Sequence, residues 1–149
     1  MGDAKIQGIE TSLSFRVTEN FRIDASYSYN DTELKDDVRF SDVVDITEDW
    51  QDWQMGAKGQ ELAIGPAHKW WIGAEYTMPK LIGEMDAWIR YDHWGSSDRY
   101  HDWWNAMNAQ TGNGGEKLLP SVNEGSLQFS LYKPRNWSLT FSIWNVWAQ

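Results

Sequence analysis

The stretch "NFRIDASYSYND", residues 20–31, alternates apolar and polar side chains at every second position. The apolar set ends in two tyrosines and consists of Phe21, Ile23, Ala25, Tyr27 and Tyr29. A period of two is the pattern of a β-strand with one apolar and one polar face. The stretch therefore predicts a strand whose second face is strongly polar.

Five further segments repeat this alternation. They are "IQGIETSLSFRV" (6–17), "HKWWIGAEYTM" (68–78), "MDAWIRYDHW" (85–94), "EGSLQFSLYK" (124–133) and "WSLTFSIW" (137–144). Hairpin-length connections rich in Asn, Gly and Pro join every other pair: "TEN" (18–20), "PKLIGE" (79–84) and "KPRN" (133–136). Roughly 35 and 25 residues separate the remaining pairs, and connections of that length are usually functional. The pattern predicts an all-β, antiparallel up-and-down meander of about six strands, with its long loops at one rim.

The composition narrows the possible partners. Eleven tryptophans and 15% aromatic residues favour a surface where rings are partly apolar and partly wet: a sugar-binding surface, a protein interface or a membrane boundary. A formal net charge of -9 argues against nucleic acid as a partner. The absence of cysteine excludes disulfides and thiolate chemistry.

Two kinds of sheet fit this alternation. Transmembrane β-barrels of the outer membrane have short turns at one end, long loops at the other, an apolar outer face and a polar lumen. Aromatic residues near the strand ends match the aromatic girdles of such barrels: Phe21, Tyr29, Trp70, Tyr91 and Trp137. The alternative is a soluble carbohydrate-binding β-sandwich with tryptophans as a sugar platform. A sandwich buries the apolar face, whereas a barrel presents it to lipid.

Four segments resemble, in order and spacing, the C-terminal part of the barrel of a TonB-dependent outer-membrane receptor. They are "GDAKIQGIETSLSFRVTENFRIDASYSYNDTEL" (2–34), "LAIGPAHKWWIGAEYTMP" (62–79), "WIRYDHWGSSDRY" (88–100) and "NWSLTFSIWNVWAQ" (136–149). The chain departs from the family where "NVWA" (145–148) lacks the usual Thr and Asp after the Asn. The plug domain, the TonB box and the last strand are not found. We therefore expect residues 1–149 to be part of a larger transmembrane β-barrel domain.

The resemblance implies TonB-dependent uptake of a scarce nutrient across the bacterial outer membrane. The nutrient class stays open among siderophore, cobalamin, haem and oligosaccharide. The implied partners are outer-membrane lipid, an extracellular small molecule and, through the plug domain, the TonB complex. We expect no cofactor and no enzymatic step, because the sequence shows no nucleophile constellation and no phosphate loop.

Aromatic residues of the long loops are the candidate substrate contacts, and packing against each other is the alternative. They are Trp50, Trp53, Tyr100, Trp103 and Trp104. Three tryptophans are predicted to point into the lumen, towards substrate or plug: Trp71, Trp88 and Trp144.

No catalytic or metal-binding residue is predicted. Residues 31–61 carry ten acidic residues against three basic ones, and "DITEDWQDW" (45–53) has the oxygen ligands that calcium prefers. The segment lacks the spacing of an EF-hand, so calcium binding stays open. The three histidines show no zinc-site spacing.

Overall fold

The computed structural model describes residues 3–39, 54–62, 65–100 and 119–148. The strands in these ranges are β1 (Ala4–Arg16), β2 (Phe21–Leu34), β3 (Val38–Arg39), β4 (Gln54–Gly56), β5 (His68–Ile82), β6 (Met85–Ser96), β7 (Val122–Lys133) and β8 (Trp137–Ala148). The described part of the chain contains no helix that is both long enough and apolar enough to cross a membrane.

Six strands form one open antiparallel sheet in the order β1-β2-β5-β6-β7-β8, and β3 pairs with β4 in a small second sheet. Each strand of the large sheet lies beside the next long strand in the chain. This is the meander that the alternation and the connection lengths predict. The all-β class, the six strands and their sequential pairing are thereby confirmed.

Local hydrogen bonds and a glycine stabilise the three short connections of the large sheet. At the first turn, Thr18 Oγ1 accepts the backbone N–H of Phe21 at 3.0 Å. At the third, the backbone N–H of Asn136 donates to the carbonyl of Lys133 at 3.0 Å. Gly83 opens the two-residue turn between β5 and β6 with φ 61°, a conformation that glycine adopts without strain.

The predicted connection "PKLIGE" is wrong in its first four residues. Pro79 to Ile82 belong to β5, and the hairpin closes only at Gly83 and Glu84. The register of β5 against β6 shifts between Met78 and Ile82. Proline is tolerated at such a bulge because the ladder hydrogen bond is already interrupted there.

The register sorts the side chains into two faces. Phe129 lies opposite Ile89 on β6 and Phe141 on β8. One residue along, Ser130 lies opposite Trp88 and Thr140. Directly opposed residues of neighbouring strands share a face. The face of Phe129 is called the apolar face below, and the face of Ser130 the polar face.

Burial is inverted relative to a protein with an apolar core. Ala87 is the one buried hydrophobic residue in the described ranges, whereas Ser126 and Ser130 are 4% and 2% exposed. On the inner strands β5 and β6, large side chains of the apolar face remain exposed, and they include Ile72, Tyr76, Ile89 and Tyr91. The edge strands β1 and β8 are exposed on both faces, and their large apolar residues include Leu13, Phe15, Leu139, Phe141 and Ile143. No described residue covers this face to the extent that a core requires.

Two glycines give room to aromatic rings. A Cβ on Gly95 would lie 2.4 Å from Trp70 Cζ2, and one on Gly125 would lie 2.7 Å from the Tyr91 hydroxyl oxygen. Both rings therefore lie against bare backbone. This packing explains why the strands carry glycine at positions where the alternation alone would allow a larger residue.

Contacts divide the chain into two compact units. The first comprises residues 1–9, 29–68 and 97–121, and includes the β3–β4 sheet and an isolated bridge between Arg99 and Leu119. The second comprises residues 10–28, 69–96 and 122–149, which contain most of the six long strands.

Candidate functional site

Tyr100 is the one predicted substrate contact that falls within the described residues. It lines a cavity of about 460 Å³ in the first unit, together with Tyr29 and His68. The other four predicted contacts lie outside the described residues: Trp50, Trp53, Trp103 and Trp104. The acidic segment 45–53 lies outside them as well.

This first-unit cavity combines rings and carboxylates. The rings of Tyr29 and His68 lie 5.0 Å apart between centroids, tilted by 33°. Asp31 also lines the cavity and accepts a hydrogen bond of 2.8 Å from Gln7 Nε2. Glu33, a further lining residue, forms an ion pair with Lys35. The acidic groups with these partners are already bound within the protein, which lowers the cavity's capacity to attract a cation.

Five charged side chains form a network on the polar face of the second unit. The members of the network are Arg22 and Asp24 on β2, Glu75 on β5, and Arg90 and Asp92 on β6. Alternation brings them to one face, and the register of β5 against β6 sets Glu75 opposite Arg90. We call this set the charge network.

Arg90 is the centre of the charge network. Its Nε and Nη2 donate to the two carboxylate oxygens of Asp92, each at 2.9 Å. Its Nη1 donates to Glu75 Oε2 at 3.2 Å and lies 3.8 Å from Asp24 Oδ2. The planar guanidinium suits this two-pronged contact, which a lysine could not reproduce.

The second arginine is more loosely held. Arg22 Nε lies 3.0 Å from Asp24 Oδ2, and its Nη2 lies 3.7 Å from Glu75 Oε2. Ser14 Oγ donates a further hydrogen bond of 2.7 Å to Asp24 Oδ1. The Arg22 side chain is 44% exposed, against 17% for Arg90. The network therefore has a largely buried centre and a wet margin.

The Trp71 ring contacts the same charge network through Arg90. Arg90 Cζ lies 5.5 Å from the centroid of the Trp71 ring, within the range of a cation–π contact. Because Asp92 and Glu75 hold Arg90 by hydrogen bonds, Arg90 in turn restrains the orientation of the Trp71 ring. Of the other predicted inward tryptophans, Trp88 lies on the polar face opposite Ser130. Trp144 is 67% exposed and precedes Asn145, whose φ of 56° marks an irregularity of β8.

The geometry determines what the charge network can do. Three carboxylates share two guanidinium groups, so its charges are nearly compensated. In the described ranges, no group of three or more His, Asp or Glu side chains is placed to hold a metal ion. The carboxylates instead bind arginine, and the network links β2, β5 and β6 on the polar face and contacts the Trp71 ring. Sequence reasoning placed these charges on one face but missed the network, because alternation does not reveal the cross-strand register.

Comparisons of the chain with protein-family models, with curated proteins and with solved structures find no match.

Proposed function

We propose that this chain forms part of the wall of a transmembrane β-barrel in the bacterial outer membrane, in a receptor of the TonB-dependent type. The whole receptor takes up a scarce nutrient, and this part supplies barrel strands and loops without a catalytic step. The energy comes from the TonB complex through the plug domain. The proposal rests on the resemblance of the strand segments and on the distribution of side chains over the sheet.

The observation that carries the proposal is the inverted burial. Ile72 and Tyr76 on β5 and Ile89 on β6 are 47%, 46% and 39% exposed on the apolar face, although both strands lie inside the sheet. On the polar face, by contrast, Ser130 is 2% exposed. A soluble protein rarely leaves so contiguous an apolar surface uncovered. Lipid covers such a surface without any further protein element.

The connections and aromatic residues support the same orientation. All three hairpin turns of the sheet lie at one end of the meander, as periplasmic turns do in such barrels. Trp137 begins β8 beside one of these turns and is 44% exposed. At the other end of the sheet, Trp70 is the third residue of β5 and lies opposite Gly95. Rings that are apolar with a polar tip suit the two interfaces of a bilayer.

The soluble sandwich fits these observations less well. It requires a second sheet that buries the apolar face, whereas Ile72, Tyr76 and Ile89 remain exposed on inner strands of the described sheet. The proposed nutrient is of the siderophore, cobalamin, haem or oligosaccharide class.

Membrane fractionation tests the proposal. An antibody raised against residues 1–149 is used to locate the natural protein in source cells after separation of inner and outer membranes on a density gradient. We expect the signal in the outer-membrane fraction, with electrophoretic mobility that changes on heating. Recovery in the soluble fraction would contradict the proposal and favour the sandwich.

A further inference from the structure

A second cavity, of about 450 Å³, lies within the second unit. It is lined by residues of β1, β2 and β5. The lining residues that alternation places on the polar face are Glu10, Ser12, Ser26, Ser28, Lys69 and Trp71. We call it the serine cavity.

The hydroxyl groups of the serine cavity are available to a ligand. The side chains of Ser12, Ser26 and Ser28 have no hydrogen-bond partner among the described residues. A hydroxyl both donates and accepts, so three of them match a ligand that carries many hydroxyl groups of its own.

The ring of Trp71 forms a flat apolar wall of the serine cavity. Its ring is supported by Arg90, and Arg90 is held in turn by Asp92 and Glu75. A ring that is already oriented loses little conformational entropy when a ligand stacks on it. The C–H face of a pyranose ring is apolar, and its rim carries hydroxyl groups, so a sugar is complementary to both parts of this wall.

The charges of the cavity favour a neutral ligand. Glu10 and Lys69 contribute one charge of each sign, and no ion pair is formed by either in the described residues. Their formal charges cancel, so the lining offers no net attraction for an anionic ligand. Each remains a hydrogen-bonding group at the margin of the cavity.

We propose that the serine cavity is a saccharide subsite, in which a neutral sugar ring stacks on Trp71 and hydrogen-bonds to the three serines. As a subsite of the transport path it rests on the proposed function and narrows the nutrient to the oligosaccharide class. Binding itself requires no transport and can be measured separately.

The test is calorimetric titration of the full-length protein that contains this chain, in a sugar-free detergent, with maltohexaose, cellohexaose and xylohexaose as probes. We expect at least one probe to bind. Trp71→Ala should weaken that binding by about tenfold or more, because it removes the stacking surface. Trp71→Phe should retain most of the affinity, and Trp137→Ala is the matched control that should leave it unchanged.

A second variant covers the case in which Trp71→Ala does not fold. The triple change Ser12→Ala, Ser26→Ala and Ser28→Ala removes only the hydroxyls and should also weaken binding. The proposal is overturned if no probe binds, or if the bound probe is indifferent to both sets of changes. If no sugar probe binds but the apolar face lies against lipid, the saccharide subsite is refuted and the proposed barrel function stands with a different nutrient. Sugar binding with the apolar face in water would refute the barrel instead.

Discussion

An arginine placed on the apolar face should cost far more than the same arginine one residue away. Phe141 is 59% exposed and opposes Phe129, so Phe141→Arg exposes a charge to lipid and removes a cross-strand aromatic pair. A charge near the bilayer midplane of a barrel costs about 2–4 kcal/mol. The lost pair adds roughly 0.2–1 kcal/mol.

Thr140→Arg is the matched control, because it changes the same strand on the opposite face. Thr140 Oγ1 donates a hydrogen bond of 3.0 Å to Ser130 Oγ, and its loss costs about 0.5–1.5 kcal/mol. The new charge itself meets a polar environment, provided that the plug domain leaves room for it. We therefore expect Phe141→Arg to be the more destabilising change, by about 0.7–4.5 kcal/mol.

The assay is folding of the full-length protein that contains this chain into lipid vesicles, with the free energy of unfolding taken from denaturant titration. Equal penalties, or a larger penalty at Thr140, would refute the reasoning. The two faces exchange when a strand slips by one residue, so that result would mean that the register or the membrane assignment is wrong.

Three further experiments have defined outcomes. Arg90→Met leaves Asp92 without its two hydrogen bonds and should lower the free energy of unfolding in the same vesicle titration by about 1.5–3 kcal/mol. Arg22→Met, at the exposed margin of the network, should lower it by less than about 1 kcal/mol. Equal losses would refute the assignment of Arg90 as the centre of the charge network. Gly95→Ile drives a side chain into Trp70 and should cost about 1–3 kcal/mol by that measurement, whereas an unchanged midpoint would show that the ring does not lie against the glycine. The chain made alone in water should aggregate through its exposed apolar face and open edges, and a monodisperse, cooperatively unfolding monomer by light scattering and denaturant titration would instead favour the sandwich.

The strands and their faces could be predicted because both follow from the period of the side chains. The segment around Phe129 alternates without interruption, and its two faces in the sheet are those that the sequence predicts. The end of β5 could not be predicted in this way. Pro79 is typical of a turn, and only the register shift between Met78 and Ile82 shows how a strand accommodates it.

The sites were less accessible to sequence reasoning than the strands. Arg90 and Asp92 are two residues apart on one strand, so alternation places them on one face. The contact of Arg90 with Glu75 depends on the register of two strands, which no local pattern encodes. The serine cavity likewise arises from three strands at once, and serine alternation in any one of them is typical of an ordinary polar face.

Labelling along β8 tests the central claim most directly. Residues 1–149 contain no cysteine, so single cysteines at positions 138–143 can each carry an environment-sensitive fluorophore without a competing thiol in this part of the protein. With the full-length protein folded in vesicles, we expect blue-shifted emission, which spin-labelled lipid quenches, from labels replacing Leu139, Phe141 and Ile143. Labels replacing Ser138, Thr140 and Ser142 should emit as in a polar environment. Emission without this alternation, or with the two sets exchanged, would contradict an apolar face that lies against lipid.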